Sequence, residues 1–99
     1  MLVDFEDHDL RRLYEEGEFR IAQIGPELTK KFRKVVGIIV QAAGEQDLRA
    51  LQSLHYEKLK GARSGQRSLR LDEQWRLIVR VEESEEGRTV IVIEIVDYH

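Results

Sequence analysis

The sequence predicts an α+β fold, in which N-terminal helices pack on one face of a small, mainly antiparallel sheet. Apolar residues recur at helical spacing in the first half of the chain, and the second half alternates apolar with polar residues as strands do. The length of 99 residues suits one domain with one modest core. We therefore expect residues 1–99 to form a single domain whose sheet has one covered face and one open, concave face.

The chain opens with a predicted strand and a short helix. Leu2 to Phe5 alternates apolar with polar residues, which predicts a first strand. Asp7 or Asp9 can cap the helix that follows, because a carboxylate at this position accepts a hydrogen bond from a free backbone N–H. Gly17 is suited to end that helix.

A longer helix is predicted to begin at Pro26, because proline fits the first helical turn. Its apolar positions share one face: Leu28, Phe32, Val35, Val36, Ile39 and Ala43. Lysines and an arginine lie mostly on the other faces. The stretch from Asp47 to Leu54 predicts one more short helix, which runs into a connector that ends at Gly61.

The second half predicts antiparallel strands. Ser68 to Leu71 alternates, a turn follows, and one face of the next strand is apolar, at Trp75, Leu77, Val79 and Val81. The acidic stretch from Glu82 to Glu86, with Gly87, predicts a hairpin turn. Thr89 to Val96 is apolar on both faces apart from Glu94, which is typical of an interior strand.

Composition excludes several classes of protein. The chain has no Cys, so it has no disulfides, cysteine-ligated metals or thiol nucleophiles. No apolar stretch approaches the roughly 20 residues that a membrane-spanning helix needs. The start of the chain also lacks the pattern of a signal sequence. We therefore expect a soluble cytoplasmic protein with no membrane partner.

Charge is distributed unevenly along the chain. The net charge is -3, but residues 55–80 carry seven Lys or Arg against three Asp or Glu, which makes this segment +4. A local basic patch can act on nearby phosphates, because screening in physiological salt limits the influence of distant acidic groups to about 8 Å. The alternative is a solvated basic strand face that acidic neighbours balance.

The last three residues, Asp97-Tyr98-His99, close the final strand with side chains that handle protons or donate hydrogen bonds. Beside clustered cations, these groups suggest chemistry on a polyanion. A metal-free ribonuclease needs a base for the 2'-hydroxyl proton, cations for the charge that develops on phosphorus, and an acid for the 5'-oxygen. Without further support, such an end is more often a frayed strand.

The second half resembles the HigB-like toxins of bacterial type II toxin–antitoxin systems, within the RelE/ParE superfamily. The resemblance covers residues 57–99 and rests on the order and spacing of four short motifs: Leu59-Lys60-Gly61, Gly65-x-x-Ser68-x-Arg70, Gln74-Trp75-Arg76 and Asp97-Tyr98-His99. It implies a RelE-like fold and ribosome-dependent cleavage of messenger RNA, with no cofactor and no metal. It also implies an antitoxin partner with a helix-turn-helix domain, and contact with DNA only through that complex.

The resemblance also implies roles for individual residues. Lys60, Arg70 and Arg76 would bind the scissile phosphate, while Tyr98 and His99 would orient or protonate the substrate. Asp97 would support them.

Other assignments stay open. Many relatives carry His where this chain has Glu57, whereas YoeB-like toxins carry Glu at the equivalent place. Glu57 is therefore the proposed base, with His55 as the alternative. Lys58, Arg63 and Arg67 are either RNA-binding residues that add nonspecific phosphate affinity or ordinary loop charges.

Four structural and functional alternatives accompany this interpretation. Arg76 and Arg80 share a strand face and could simply pair with Glu94 across the hairpin, and Trp75 belongs to the core by its parity. Instead of a nuclease, the chain could be a noncatalytic ParE-like toxin that binds DNA gyrase. It could also be a decayed relative that only binds its antitoxin.

Overall fold

A computed structural model describes residues 1–97 and confirms the α+β class. Helices pack against a five-stranded, mostly antiparallel sheet. The strands and helices in chain order are β1 (Leu2–Phe5), α1 (His8–Glu15), α2 (Pro26–Gln41), α3 (Glu45–Ala50), β2 (Glu57–Lys58), β3 (Gln66–Arg70), β4 (Trp75–Ser84) and β5 (Gly87–Asp97). Two short 3₁₀ turns, Gln52–Leu54 and Gly61–Arg63, flank β2.

The strand order is β1-β5-β4-β3-β2, with β1 parallel to β5 and every other neighbouring pair antiparallel. The core lies between the helices and one sheet face. Its fully buried side chains include Leu13, Phe32, Val36, Ile39, Leu48, Leu69, Leu77, Val79, Val90 and Val92. Trp75 packs against this core, as its parity predicts. The opposite face of the sheet, which we call the open face, carries the polar side chains considered below.

Local capping explains where the helices begin. The Asp7 side chain accepts a hydrogen bond from the backbone N–H of Leu10 at 3.0 Å, and Pro26 occupies the first turn of α2. The helix ends differ from the prediction by one or two residues. The backbone of Glu16 is already extended, so α1 ends before Gly17. Ala43 lies beyond the end of α2.

Two elements of the middle segment differ from the sequence prediction. The expected helix from Asp47 to Leu54 is instead α3 followed by a 3₁₀ turn, because the extended backbone of Leu51 separates them. The expected connector contains β2, whose two residues pair with Ser68 and Arg67 of β3. So short a strand has no alternation to detect, and it depends on tertiary pairing.

The hairpin between β4 and β5 is tighter than predicted. Both strands extend into the acidic stretch, and Ser84 pairs directly with Gly87. Gly87 has a φ of 113°, a value that favours glycine, which explains why the turn closes there. Within the described part of the chain, no helix is long and apolar enough to cross a membrane.

A bulge in β5 sets which side chains reach the open face. Ile78 pairs with Glu94 but the next residue, Val79, pairs with Val92, so Ile93 is the extra residue. A bulge shifts the alternation of the strand that contains it. As a result, Val92 faces the core before the bulge, while Glu94 shares the open face with Ile78 after it.

Candidate functional site

One row of paired residues crosses four strands of the open face. Glu57 of β2 pairs with Ser68 of β3, Ser68 with Ile78 of β4, and Ile78 with Glu94 of β5. Directly paired residues on neighbouring strands point to the same face of a sheet. The structure therefore places the proposed base, Glu57, on the open face, where its side chain is exposed.

The next row brings two of the predicted catalytic residues together. Arg70 pairs directly with Arg76, and Arg76 pairs in turn with Val96. Arg76 is only 9% exposed, and its Nη1 donates to the backbone carbonyl of His55 at 3.4 Å. A guanidinium group buried to this degree needs polar or anionic partners, because a buried charge is costly unless it is compensated.

A cleft of about 160 Å³ lies between these two rows. Its lining combines apolar and polar side chains: Leu59, Arg63, Ser68, Arg76, Ile78 and Val96. The Ser68 hydroxyl is buried there and makes no hydrogen bond within residues 1–97. The Arg76 side chain lines this cleft together with Ser68.

Arg63 borders the cleft and connects it to β5. Its Nη1 donates to Oε1 of Gln66 at 2.9 Å, and its Nη2 donates to Oε2 of Glu94 at 3.1 Å. The interpretation that Arg76 or Arg80 pairs with Glu94 is therefore wrong for Arg80, which instead forms ion pairs with Glu6 and Glu82. Glu94 is paired with Arg63 of the Gly61–Arg63 turn and not with Arg80 of β4.

His55 contributes to the site through its backbone. It has a φ of 44°, in the left-handed region that residues other than glycine seldom adopt, and this conformation ends the 3₁₀ turn before β2. Its carbonyl oxygen is the acceptor for Arg76. Sequence reasoning considered only the imidazole, and the sequence offers no signal for the role of the carbonyl.

Arg70 reaches a different cavity from Arg76. Its Nε donates to the carbonyl of Asp72 at 3.1 Å, and its side chain lines a groove of about 170 Å³ with Lys31 and Lys34 of α2. The sequence predicts only that the lysines of α2 lie mostly away from its apolar face. Because Lys31 and Lys34 lie 39 and 36 residues from Arg70 in the chain, only the fold brings the three cations together.

Arg67 lies apart from the cleft, in an ion-pair cluster centred on Glu45. The Glu45 carboxylate is 8% exposed and accepts from the Tyr56 hydroxyl at 2.5 Å, from Arg67 Nε at 3.2 Å and from Arg88 Nη1 at 3.2 Å. Arg49 approaches it at 3.7 Å. The Arg67 side chain thus links β3 to α3 through Glu45, a structural role that the sequence did not indicate.

The Glu45 cluster shifts the acidity of its members. Burial by itself would raise the pKa of Glu45, but the hydrogen bonds from Tyr56 and Arg67 outweigh it, so the pKa lies below its ordinary value. Burial and the neighbouring Glu45 carboxylate raise the pKa of Tyr56. Both shifts keep Glu45 ionised and Tyr56 protonated at neutral pH.

The remaining predicted RNA-binding residues are accessible. Lys58 and Lys60 are exposed, on β2 and at the start of the Gly61–Arg63 turn respectively. Lys58 pairs with Arg67 in register, so its side chain leaves the opposite face of the sheet from Glu57. No three metal-ligating side chains come together within residues 1–97, and metal-independent chemistry stays a prediction.

Similarity to known proteins identifies the family. A family described as the RelE-like toxin HigB of type II toxin–antitoxin systems matches residues 3–99. The chain belongs to this HigB-like toxin family. The match also spans residues 3–56, which the four motifs of the sequence resemblance do not cover. No curated protein matches the chain by sequence.

Solved structures of other toxins share the fold of this HigB-like toxin. YafQ from E. coli strain BL21(DE3) is 8% identical and superposes with a TM-score of 0.62, over 96% of this chain and 90% of its own. The toxin of the YoeB–YefM complex from Staphylococcus aureus is 18% identical, with a TM-score of 0.59 over 100% and 98%. The YoeB/ParE toxin from Agrobacterium tumefaciens is 18% identical, with a TM-score of 0.58 over 100% of both chains.

Of the terminal motif Asp97-Tyr98-His99, the structure describes Asp97. Asp97 ends β5 opposite Trp75, and its Oδ2 accepts a hydrogen bond from Nε2 of Gln74 at 3.1 Å. Tyr98 and His99 lie outside the described residues, so their predicted roles stay predictions. The structure thus brings Glu57, Arg63 and Arg76 to one face, and it sets Arg67 apart from them.

Proposed function

We propose that this toxin is a ribosome-dependent endoribonuclease that cleaves messenger RNA by attack of the 2'-hydroxyl on the neighbouring phosphate, and so inhibits translation. One observation carries the proposal. A nearly buried guanidinium group, that of Arg76, lines a cleft on the same sheet face as an exposed carboxylate, that of Glu57. The guanidinium group would bind the scissile phosphate, and the carboxylate would accept the proton of the 2'-hydroxyl.

The reaction needs three functions from the chain. Glu57 would take the 2'-hydroxyl proton, because a carboxylate on the accessible face can approach the ribose from solvent. Arg76 would stabilise the negative charge that develops on the phosphate oxygens, assisted by Arg70 and Lys60. Protonation of the departing 5'-oxygen is assigned to His99, with Tyr98 and Asp97 in support. Cleavage would leave a 2',3'-cyclic phosphate and a 5'-hydroxyl.

The fixed position of Arg76 supports its place at the centre of this scheme. Its Nη1 donates to the backbone carbonyl of His55, and the side chain is 9% exposed, so the guanidinium group is held in one place beside the cleft. A preorganised cation stabilises a transition state more than a mobile one does, because little reorganisation is needed during the reaction. Arg80 forms ion pairs with Glu6 and Glu82 outside the cleft and is not assigned a catalytic role.

The partners follow from the family and from the reaction. We propose a cognate antitoxin with a helix-turn-helix domain, with DNA bound only through the complex, and a cytoplasmic site of action on translating ribosomes. The Staphylococcus aureus structure is of a YoeB–YefM complex, which supports a protein partner for this fold. Lys58, Lys60 and Arg63 would add phosphate affinity along the messenger RNA.

The decisive experiment maps RNA 5' ends after the toxin is induced without its antitoxin. We expect growth arrest and new 5'-hydroxyl ends within translated regions, and we expect purified toxin to cleave messenger RNA on ribosomes but not in free solution. Growth arrest with intact transcripts and altered DNA supercoiling would instead identify the ParE-like, gyrase-binding alternative. A lack of any effect would indicate a decayed relative.

A further inference from the structure

The buried hydroxyl of Ser68 is the least explained polar group of the open face. Ser68 is 2% exposed, and its Oγ has no hydrogen-bond partner within residues 1–97. A buried hydroxyl without a partner costs free energy, which is why nearly all such groups in native proteins are paired. Its neighbours in the row, Glu57 and Ile78, belong to different strands, so the position is fixed rigidly by the sheet.

The surroundings of Ser68 indicate what kind of group would pair with it. Three apolar side chains, Leu59, Ile78 and Val96, form much of the cleft wall, with Arg76 beside them. A phosphate alone gains nothing from apolar walls. A nucleobase has two apolar faces and a polar edge, and its attached phosphate suits a neighbouring guanidinium group, so the lining matches one nucleotide.

We propose that the cleft binds one nucleobase of the RNA substrate and that the Ser68 hydroxyl hydrogen-bonds to the edge of that base. The inference deepens the proposed nuclease function and rests on it. Ser68 is then a residue that determines specificity. It does not touch the reacting atoms, and it contributes to the choice of nucleotide at the cleavage site.

Arg63 borders the same cleft as Ser68 and is paired there with Glu94. Nη2 of Arg63 lies 3.1 Å from Oε2 of Glu94, and the two side chains are 41% and 46% exposed. Exposed ion pairs of this kind contribute little to stability, so the pair opens readily. An incoming phosphate can therefore compete with the Glu94 carboxylate for Arg63, which would add to the binding of a nucleotide in the cleft.

Binding of nucleotides tests the proposal without requiring cleavage. Full-length toxin is titrated with each of the four nucleoside 5'-monophosphates, and amide chemical shifts are followed by NMR. We expect shifts at Ser68, Ile78 and Val96, and a preference for one base. Ser68→Ala should weaken binding of the preferred nucleotide about tenfold, as expected for one lost hydrogen bond, and should change the others little.

Ser64→Ala is the matched control, because Ser64 is exposed and lies outside the cleft lining. It should bind all four nucleotides as the unchanged protein does. Ribose 5-phosphate serves as the probe without a base. If it reproduces the shifts at Ser68 and Ile78, or if Ser68→Ala changes no affinity, the cleft is a phosphate site and the proposal is overturned.

A thermal melt and a cleavage map complete the test. Ser68→Ala should raise the melting temperature, since it removes a buried group that has no partner; a lower melting temperature would reveal a structural hydroxyl and overturn the proposal. Mapped cleavage sites should lose base preference in Ser68→Ala. If no variant cleaves RNA but nucleotides still bind selectively through Ser68, the nuclease proposal fails and the base site stands.

Discussion

Arg70 and Arg76 face each other directly across β3 and β4, so two guanidinium groups occupy opposed positions on the open face. Like charges directly opposite each other destabilise a sheet. The two side chains diverge, since Arg76 turns to the carbonyl of His55 and Arg70 to that of Asp72. Arg70 therefore borders the groove that it shares with Lys31 and Lys34, while Arg76 lines the cleft beside Ser68.

The first prediction concerns the buried member of this pair. Arg76→Ala should reduce cleavage of ribosome-bound messenger RNA by about 100-fold or more, because removal of one preorganised donor commonly costs a factor of 10² to 10³ in rate. Single-turnover cleavage of a programmed ribosome measures the effect. Binding to the ribosome should change far less than the rate.

Arg80→Ala is the matched control for this prediction. Arg80 lies on the same strand, but its ion pairs with Glu6 and Glu82 place it outside the cleft. It should retain cleavage within a few-fold. Thermal melts of both variants must accompany the assay, because loss of a folded structure would mimic loss of activity. Equal, small effects in two folded variants would contradict the central role given to Arg76.

The second prediction concerns the Glu94 carboxylate, which holds Arg63 at the cleft. Glu94→Gln removes a negative charge next to the proposed phosphate path, so RNA affinity should rise by about threefold to tenfold at low salt. The free energy of unfolding should change by less than about 1 kcal/mol, since the pair is exposed. Filter binding at several salt concentrations checks the affinity, and a weaker affinity would contradict the prediction.

Glu83→Gln controls for the general effect of net charge. Glu83 is 70% exposed, and it pairs with Arg88 near the hairpin turn rather than at the cleft. Its removal changes the net charge by the same amount but should leave RNA affinity within about twofold. Similar gains from both variants would show that overall charge, rather than release of Arg63, determines the affinity.

Much of the fold could be predicted because the sequence patterns are local. The spacing of Leu28, Phe32 and Val36 places one helix face in the core, and the alternation around Leu77 predicts β4. The same reasoning missed β2, since its two residues contain no repeat. It also missed the bulge at Ile93, which arises from how β4 and β5 pair and not from either strand alone.

The site was harder to predict than the fold, because its key contacts join distant parts of the chain. Charge counting grouped Arg67 with the RNA-binding residues, although Glu45, 22 residues away, holds it in an ion pair. Sequence spacing also cannot indicate that a backbone carbonyl at His55 positions Arg76. The alternation of β4, by contrast, correctly placed Arg76 on the face opposite Trp75 and Leu77.

The third prediction concerns the Glu45 cluster and its dependence on pH. Glu45→Gln should lower the free energy of unfolding by about 3 kcal/mol at neutral pH, because it removes the charge that three arginines surround. Since the pKa of Glu45 is depressed in the folded protein, its stabilisation is fully present above the ordinary carboxyl value of about 4.3. It is lost as pH falls through the lower, folded value.

Urea unfolding at a series of pH values checks this sign. The difference between the unchanged protein and Glu45→Gln should therefore shrink below about pH 4. Tyr56→Phe should cost about 1.5–3 kcal/mol, the value of a hydrogen bond to a charged group. Glu86→Gln, in the exposed turn, should show neither loss. A difference that grows in acid would contradict the depressed pKa.

The fourth prediction decides between Glu57 and His55 as the base. If Glu57 takes the 2'-hydroxyl proton, Glu57→Gln should still bind RNA but should lower single-turnover cleavage and remove the acidic limb of the pH–rate profile. Gln keeps the size of the side chain yet accepts no proton at working pH. Glu57 is exposed on a two-residue strand, so the variant should fold normally.

For His55 the structure dictates the choice of variant. His55→Gly removes the imidazole while it accommodates the φ of 44°, so the carbonyl that positions Arg76 stays in place. If Glu57 is the base, the His55→Gly variant should retain the acidic limb of the pH–rate profile. If His55→Gly loses this limb and Glu57→Gln keeps it, the base is His55. If both variants keep the limb, the proton is removed by His99 or by water. A substrate with 2'-O-methyl at the scissile nucleotide tests the attack itself, because its cleavage would rule out a 2'-hydroxyl nucleophile whichever residue is the base.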